Sequence, residues 1–274
     1  MKWYSSCVIG WMTCQAAAAA LIWTGTSADP AGLLPVVDAF RAQISAGGSN
    51  NGVGGSFTTG RREVAWDAAS LDPVQIPAAM PGDFFNTFSQ RGLVLSTPGS
   101  LRVSGRAASG STDVLFSSLN PRAASALQAL TPERMLAVYG ATTVNATFFL
   151  PGSPSQPAFV RGFGLVVADV NIAGSTRLEA LDALGTVIGS VDVPPAPNGL
   201  SFAGLWMEGS TWISSVRLTA GQTGINDTTS SRDIVAMDDF IFAEPQLTAI
   251  PEPTAPLLLA LAVISLLGGR RRLP

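Results

Sequence analysis

The chain has 274 residues, of which 47% are hydrophobic and 13% charged, the balance of a packed chain and not of a disordered one. Outside the two terminal segments, 12 basic residues stand against 18 acidic ones, with no basic run beyond Arg61-Arg62, which argues against nucleic acid as a partner. There is no histidine, and the two cysteines, Cys7 and Cys14, both lie near the start, so the body has no access to Ser-His-Asp or Cys-His catalysis, His-ligated metal, disulfides or thiolate chemistry.

Lys2 precedes an apolar stretch from Cys7 to Trp23 that includes the alanines Ala16 to Ala20. Thr26-Ser27-Ala28 then places small residues where a leader peptidase cuts, so residues 1–28 read as a secretory signal peptide removed before Asp29. Neither cysteine follows the leucine-containing box of a lipoprotein. Residues 29–56 are expected to hold a short helix and a loop. The helix is expected over Pro35 to Ile44, with Pro35 in its first turn and Val36, Val37, Phe40 and Ile44 on one broad face. The run GGSNNGVGG, Gly47 to Gly55, reads as a flexible loop.

Residues 57–247 read as a β-sandwich body. Gly60 to Asp67 and Arg91 to Ser96 are strand candidates, with Pro73, Pro77 and Pro81 breaking the stretch between them. Further strands are expected at Leu101 to Ser104, Asp113 to Ser117, Met135 to Tyr139, Thr143 to Leu150, Phe159 to Val170, Thr176 to Asp182 and Val187 to Val193. Ser201 to Met207, Ile213 to Thr219 and Ile234 to Ala243 complete the set. Turn signals recur every 8 to 15 residues or so, the rhythm of a sandwich, and Asp182 to Gly185 marks a hairpin. One helix is expected from Asn120, as its cap, to Leu130. No repeat of 20 to 50 residues recurs, which excludes a solenoid or propeller. The fold class is therefore all-β, a sandwich with a jelly-roll-like topology.

Three groups of residues have chemical interest. Asp238 and Asp239 are adjacent in the last strand, and Asp169 ends another, so the three are candidate ligands for a structural calcium, which takes six to eight oxygens. In a regular strand Asp238 and Asp239 face opposite ways, so one at most is expected to point inward. Trp206 and Trp212 flank the turn residues Glu208-Gly209-Ser210 and are candidate platforms for a sugar, with core packing as the plainer reading. Paired carboxylates are the acid–base chemistry that remains without histidine, but no local pattern singles out a pair. The body is therefore expected to be non-enzymatic, without a cofactor unless calcium binds.

The last segment, residues 248–274, is different in kind. Pro251-Glu252-Pro253 is followed by an uncharged apolar run from Ala255 to Leu267 and then by Arg270, Arg271 and Arg272. Proline on both sides of Glu252 holds that segment extended, the form a protease needs. The run has no polar face, and some 15 helical residues span roughly 22 Å, short of a bilayer core of roughly 30 Å. Arginines on one flank keep that end cytoplasmic and leave the body across the membrane. Pro-Glu-Pro, a short leucine-rich span and a terminal arginine cluster together resemble the PEP-CTERM sorting signal of exported bacterial proteins. That resemblance implies an exosortase, a membrane protease-transpeptidase, as a partner that cuts near Pro251-Glu252-Pro253. GRREVAWDA and DFFNTFSQRGLVLSTPG also resemble a segment of exported proteins with such tails and no assigned activity.

The reading from sequence is an exported protein, anchored in the inner membrane by its C-terminal helix and then moved to the cell surface or extracellular matrix. The alternative is a carbohydrate-binding module that grips exopolysaccharide.

Overall fold

A computed structural model describes residues 20–68, 78–105, 114–229 and 231–247. Pro251, Glu252, Pro253 and Arg270 to Arg272, expected to act in sorting, lie outside the described residues, as do residues 1–19 of the expected signal peptide. In chain order the elements are β1 (Ala20–Ser27), α1 (Pro30–Ser45), β2 (Arg61–Val64), β3 (Ala78–Ala79), α2 (Phe84–Thr87), β4 (Leu93–Ser96), β5 (Ser100–Val103) and α3 (Ala123–Ala126). There follow β6 (Leu136–Tyr139), β7 (Thr143–Leu150), β8 (Ser153–Pro157), β9 (Gly162–Val170), β10 (Arg177–Leu181), β11 (Val187–Asp192), β12 (Ala196–Met207), β13 (Ser215–Thr219) and β14 (Ala236–Ala243). No helix among the described residues is long and apolar enough to cross a membrane.

The expected all-β architecture is present as two antiparallel sheets. The larger runs β1-β12-β9-β14-β6-β5-β3, with β2 also on β14; the smaller runs β11-β10-β13-β7-β4, with β8 on β7. They share one core. Phe148 of β7 meets Phe242 of β14 and Phe163 of β9, with ring centroids 5.5 and 6.1 Å apart. Such tilted aromatic pairs add to the area they bury. β7 alternates buried and half-buried positions, as a strand with one wet face does, whereas β9 and β14 are buried throughout. They are covered twice, by the smaller sheet on one face and on the other by α1, which packs across β1, β12 and β14.

α1 starts earlier than its pattern suggests. Asp29 is the cap, its carboxylate accepting from Gly32 N at 2.9 Å, and Pro30 opens the first turn, while Pro35 lies inside the helix. Leu33, Val37, Phe40 and Ile44 are its buried stripe. Phe40 sits over two glycines that pair across the sheet, Gly164 of β9 and Gly204 of β12. A Cβ at either position would come within 2.6 to 2.7 Å of the Phe40 ring, so the glycines set how deep the helix lies. Trp23 and Phe202 close around the same ring at 5.5 and 5.2 Å.

Three expectations are corrected. Of the strand expected over Asp113 to Ser117, Val114 makes one bridge to Gly105, and Leu115 and Phe116 turn back at φ 45° and 71°, so the segment cannot run extended. The helix from Asn120 shrinks to α3; Asn120 caps the preceding turn by accepting from Arg122 N, and the chain is extended again by Leu127. The glycine-rich loop is fastened: Arg62, fully buried, donates to the carbonyls of Gly52, Gly54 and Gly55 at 2.7 to 3.1 Å. The same guanidinium makes a two-pronged pair with Glu244, 2.6 Å on each prong. Glu244 also accepts from Asn51 Nδ2 and Phe57 N.

Candidate functional site

An opening with polar walls lies at one end of the sandwich, where β9 leaves the sheet and β12 enters it. It holds about 530 Å³ and is lined by Asn120, Arg122, Asp169, Asn171, Asn198 and Asp233, among others. The backbone at Asp169 is left-handed, φ 63°, and so is that at Asn198, φ 54°; Asp and Asn tolerate this better than most side chains. The twist turns Asp169 out of the ladder so that its Oδ1 accepts from Asn198 N at 2.8 Å. Burial pushes the Asp169 carboxyl above its ordinary range, against the Asn198 N–H that favours its charge; nearby Asp233 pushes the same way as burial.

Asp233 is differently employed. Its Oδ1 accepts from Asn171 N and Nδ2, and its Oδ2 from Ile172 N and the Ser175 hydroxyl. It clamps the turn after β9. Asn120 spans to the next loop through donations to Ile225 O and Asp227 O, and Arg122 reaches Thr229 O at 2.7 Å. The pocket wall is thus a set of amide and carboxylate groups held in place by backbone, with Arg122 and Arg232 at its rim.

Asp238 and Asp239 are elsewhere, under α1. Both are buried, contrary to the expectation that one would face out. The pairing of β14 with β9 slips between Met237 and Phe240, a bulge that breaks the alternation of a regular strand. Both carboxylates consequently meet Thr131: Asp238 Oδ2 accepts from Leu130 N and Thr131 N, and Asp239 Oδ1 accepts from the Thr131 hydroxyl at 2.7 Å. Asp238 Oδ1 is buried with no hydrogen-bond partner among the described residues. Burial first, and then the neighbouring Asp239 carboxylate, pushes Asp238 well above the ordinary carboxylate range. Burial likewise pushes Asp239 up to about 6, although Thr131 and Arg41, whose guanidinium is 3.5 Å away, oppose it. The three acids expected to share one calcium do not form one cluster: Asp169 lines the pocket and accepts from Asn198 N, whereas Asp238 and Asp239 lie against Thr131. Among the described residues no group of three or more acids is placed to hold a metal ion.

Trp206 and Trp212 do come together, but around a cation. The Arg161 guanidinium lies 5.2 Å from each ring and donates through Nε and Nη2 to Met207 O. Both indoles are half-buried, beside a cleft of about 80 Å³. The ring faces turned to Arg161 are already covered, which weakens their use as a sugar platform.

The sequence reading missed Arg62, Glu244, Arg161 and most of the pocket wall. The available signal was local: Asp and Asn crowd the ends of strands at Asp169, Asn171, Asn198, Asn226 and Asp227.

No family model matches the chain, and no curated protein matches it. Among solved structures, a domain of tailspike protein 4 of bacteriophage CBA120, described as enzymatically active, aligns with 64% of this chain at 11% identity and a TM-score of 0.29. The match spans 22% of that chain, about a fifth of its length.

Proposed function

We propose that this is an exported, non-enzymatic protein of the cell surface or extracellular matrix, with a jelly-roll-like body carried between a secretory leader and a C-terminal sorting tail. The observation that carries the reading is the order of Pro251-Glu252-Pro253, apolar run and Arg270 to Arg272 at the end of the chain. The body supports it. Its last described pairing, Gln246 with Phe159, comes before Pro251, so a cut at the motif removes no described strand. An exosortase-type protease and the membrane are the partners this reading requires. The acids also support a body without acid–base catalysis. Asp233 has both oxygens occupied by the turn it clamps, and Asp238 and Asp239 are enclosed, which leaves Asp169 without a free carboxylate partner in the pocket.

The test is the mass of the C-terminus of protein recovered from the exporting cell, beside Glu252→Ala. Loss of everything beyond the 251–253 region in the wild type and retention in the variant is the expected result. An intact terminus at Arg270 to Arg272 in both would overturn the sorting reading.

A second reading, a carbohydrate-binding module, is favoured by the pocket at the strand ends and less by the tryptophans. Amide and carboxylate groups fixed by backbone suit the paired hydroxyls of a sugar. Titration with exopolysaccharide purified from the producing cells should then give saturable binding that Asp169→Asn weakens at least tenfold while Trp206→Ala and Trp212→Ala leave it within threefold. Binding lost on the tryptophan changes alone would return the site to the Arg161 cleft, and no saturable binding would remove the reading. Repeating the titration with a calcium chelator tests for a structural calcium.

A further inference from the structure

The structure assigns residues 20–27 to the folded body. Resting on the proposal that the chain is exported, we infer that leader peptidase cuts after Ala18 or Ala19, not before Asp29. The sequence offers two small-residue stretches that fit a leader's end, Ala16 to Ala20 and Thr26 to Ala28, and its pattern alone does not choose between them. The fold does.

β1 pairs with β12 at every one of its eight positions, from Ala20 opposite Met207 to Ser27 opposite Leu200. It is the end strand of the larger sheet, and without it β12 would present an unpaired edge to solvent. α1 rests on β1 as well. Trp23 packs its edge on Phe40, and Gly25 lies so close beneath Val36 that a Cβ there would come within 2.6 Å of Cγ1. A cut before Asp29 would remove this support from under the helix.

The helix start gives a separate argument. Asp29 caps α1 with its carboxylate, and its own N–H donates to the Ser27 hydroxyl at 3.2 Å. A chain beginning at Asp29 would place an ammonium group where the helix dipole is positive and would lose Ser27. A cut after Ala18 or Ala19 has alanine at the positions one and three residues before the bond and leaves β1 whole.

The experiment is the N-terminal mass of the wild-type protein recovered outside the cytoplasm, read beside two variants. The expected first residue is Ala19 or Ala20. Ala28→Leu should be processed like the wild type, and Ala18→Leu combined with Ala19→Leu should retain its leader. A mature chain beginning at Asp29, or a leader retained in Ala28→Leu, overturns the inference while export stands. An intact leader on all three proteins overturns the export reading itself. A body expressed from Asp29 should unfold at lower urea concentration and self-associate more than one expressed from Ala20. Equal stability and equal monomer content would remove the structural ground for the choice.

Discussion

β14 and the residue after it bury three acids, and the two ends of that stretch treat them in opposite ways. At its exit Glu244 meets Arg62 in a two-pronged pair whose remaining donors are spent on three glycine carbonyls. In its middle Asp238 and Asp239 lie side by side beneath α1, two like charges with one partly distant cation, Arg41, and one oxygen with no partner. The first arrangement offsets the desolvation of both charges and makes Arg62 a spindle for a loop that has no core of its own. The second relieves desolvation by protonation. Burial of an acid therefore says little by itself; the sign of the nearest charge and the number of donors decide whether it holds the fold together or loosens it as pH rises.

Three substitutions test that contrast. The largest effect is expected from Arg62→Ala or Glu244→Ala, each of which leaves the other charge buried without its counter-ion; a loss of about 3–5 kcal/mol in urea unfolding is expected. A loss below about 1 kcal/mol for either would mean that water reaches the pair. Asp239→Asn comes second and depends on pH. The folded-state value of about 6 lies above the ordinary carboxylate value of 3.8, so between them the folded state holds a proton that the unfolded state has released. Stability from this group is therefore complete below about pH 4 and lost as pH rises through 6. Asparagine cannot titrate, so the variant should gain on the wild type by on the order of 2–3 kcal/mol between pH 4 and pH 7.5. A gap that does not change with pH would show that Asp239 is charged throughout. Asp238→Asn should be smallest. At pH 4, where both aspartates hold protons in the folded state, it keeps an oxygen for Leu130 N and Thr131 N and changes the atom that has no partner, so unfolding should move by less than about 1 kcal/mol, and as pH rises the variant should gain on the wild type in the same direction as Asp239→Asn. A loss as large as that of Arg62→Ala would place a needed negative charge at Asp238 and erase the contrast.

Most strands could be read from the sequence because period-two alternation survives wherever one face is wet. β7 occupies Thr143–Leu150 as its pattern says, and the hairpin at Asp182 to Gly185 is closed by Asp182 Oδ1 accepting from Leu184 N and Thr186 N. What stayed hidden depends on partners far along the chain. β1 reads from sequence as the end of a leader because its apolar residues continue the apolar run that begins at Cys7, and only β12 shows that it belongs to the body. α1 begins at Pro30 because Asp29 caps it, a signal overshadowed by Pro35. The bulge that brings both aspartates to Thr131 has no mark in the residues Met237 to Phe240, since it arises from the slip against β9. The pocket was least legible of all: it joins residues from positions 120 to 234 that no local window contains.

The order of the larger sheet sets when the chain can fold. β1 and β2, the first strands out, find their partners in β12 and β14, among the last. A chain made in sequence leaves β1 unpaired until Met207 and β2 unpaired until Ala243 has followed, and closure over such spans is slow compared with hairpin zipping. Chains truncated before Ala236 should leave the amides of β2 open to hydrogen exchange; protection there would mean that β2 finds another partner without β14. The unpaired early strands are thus exposed to proteases and holdases for as long as the last strand takes to arrive.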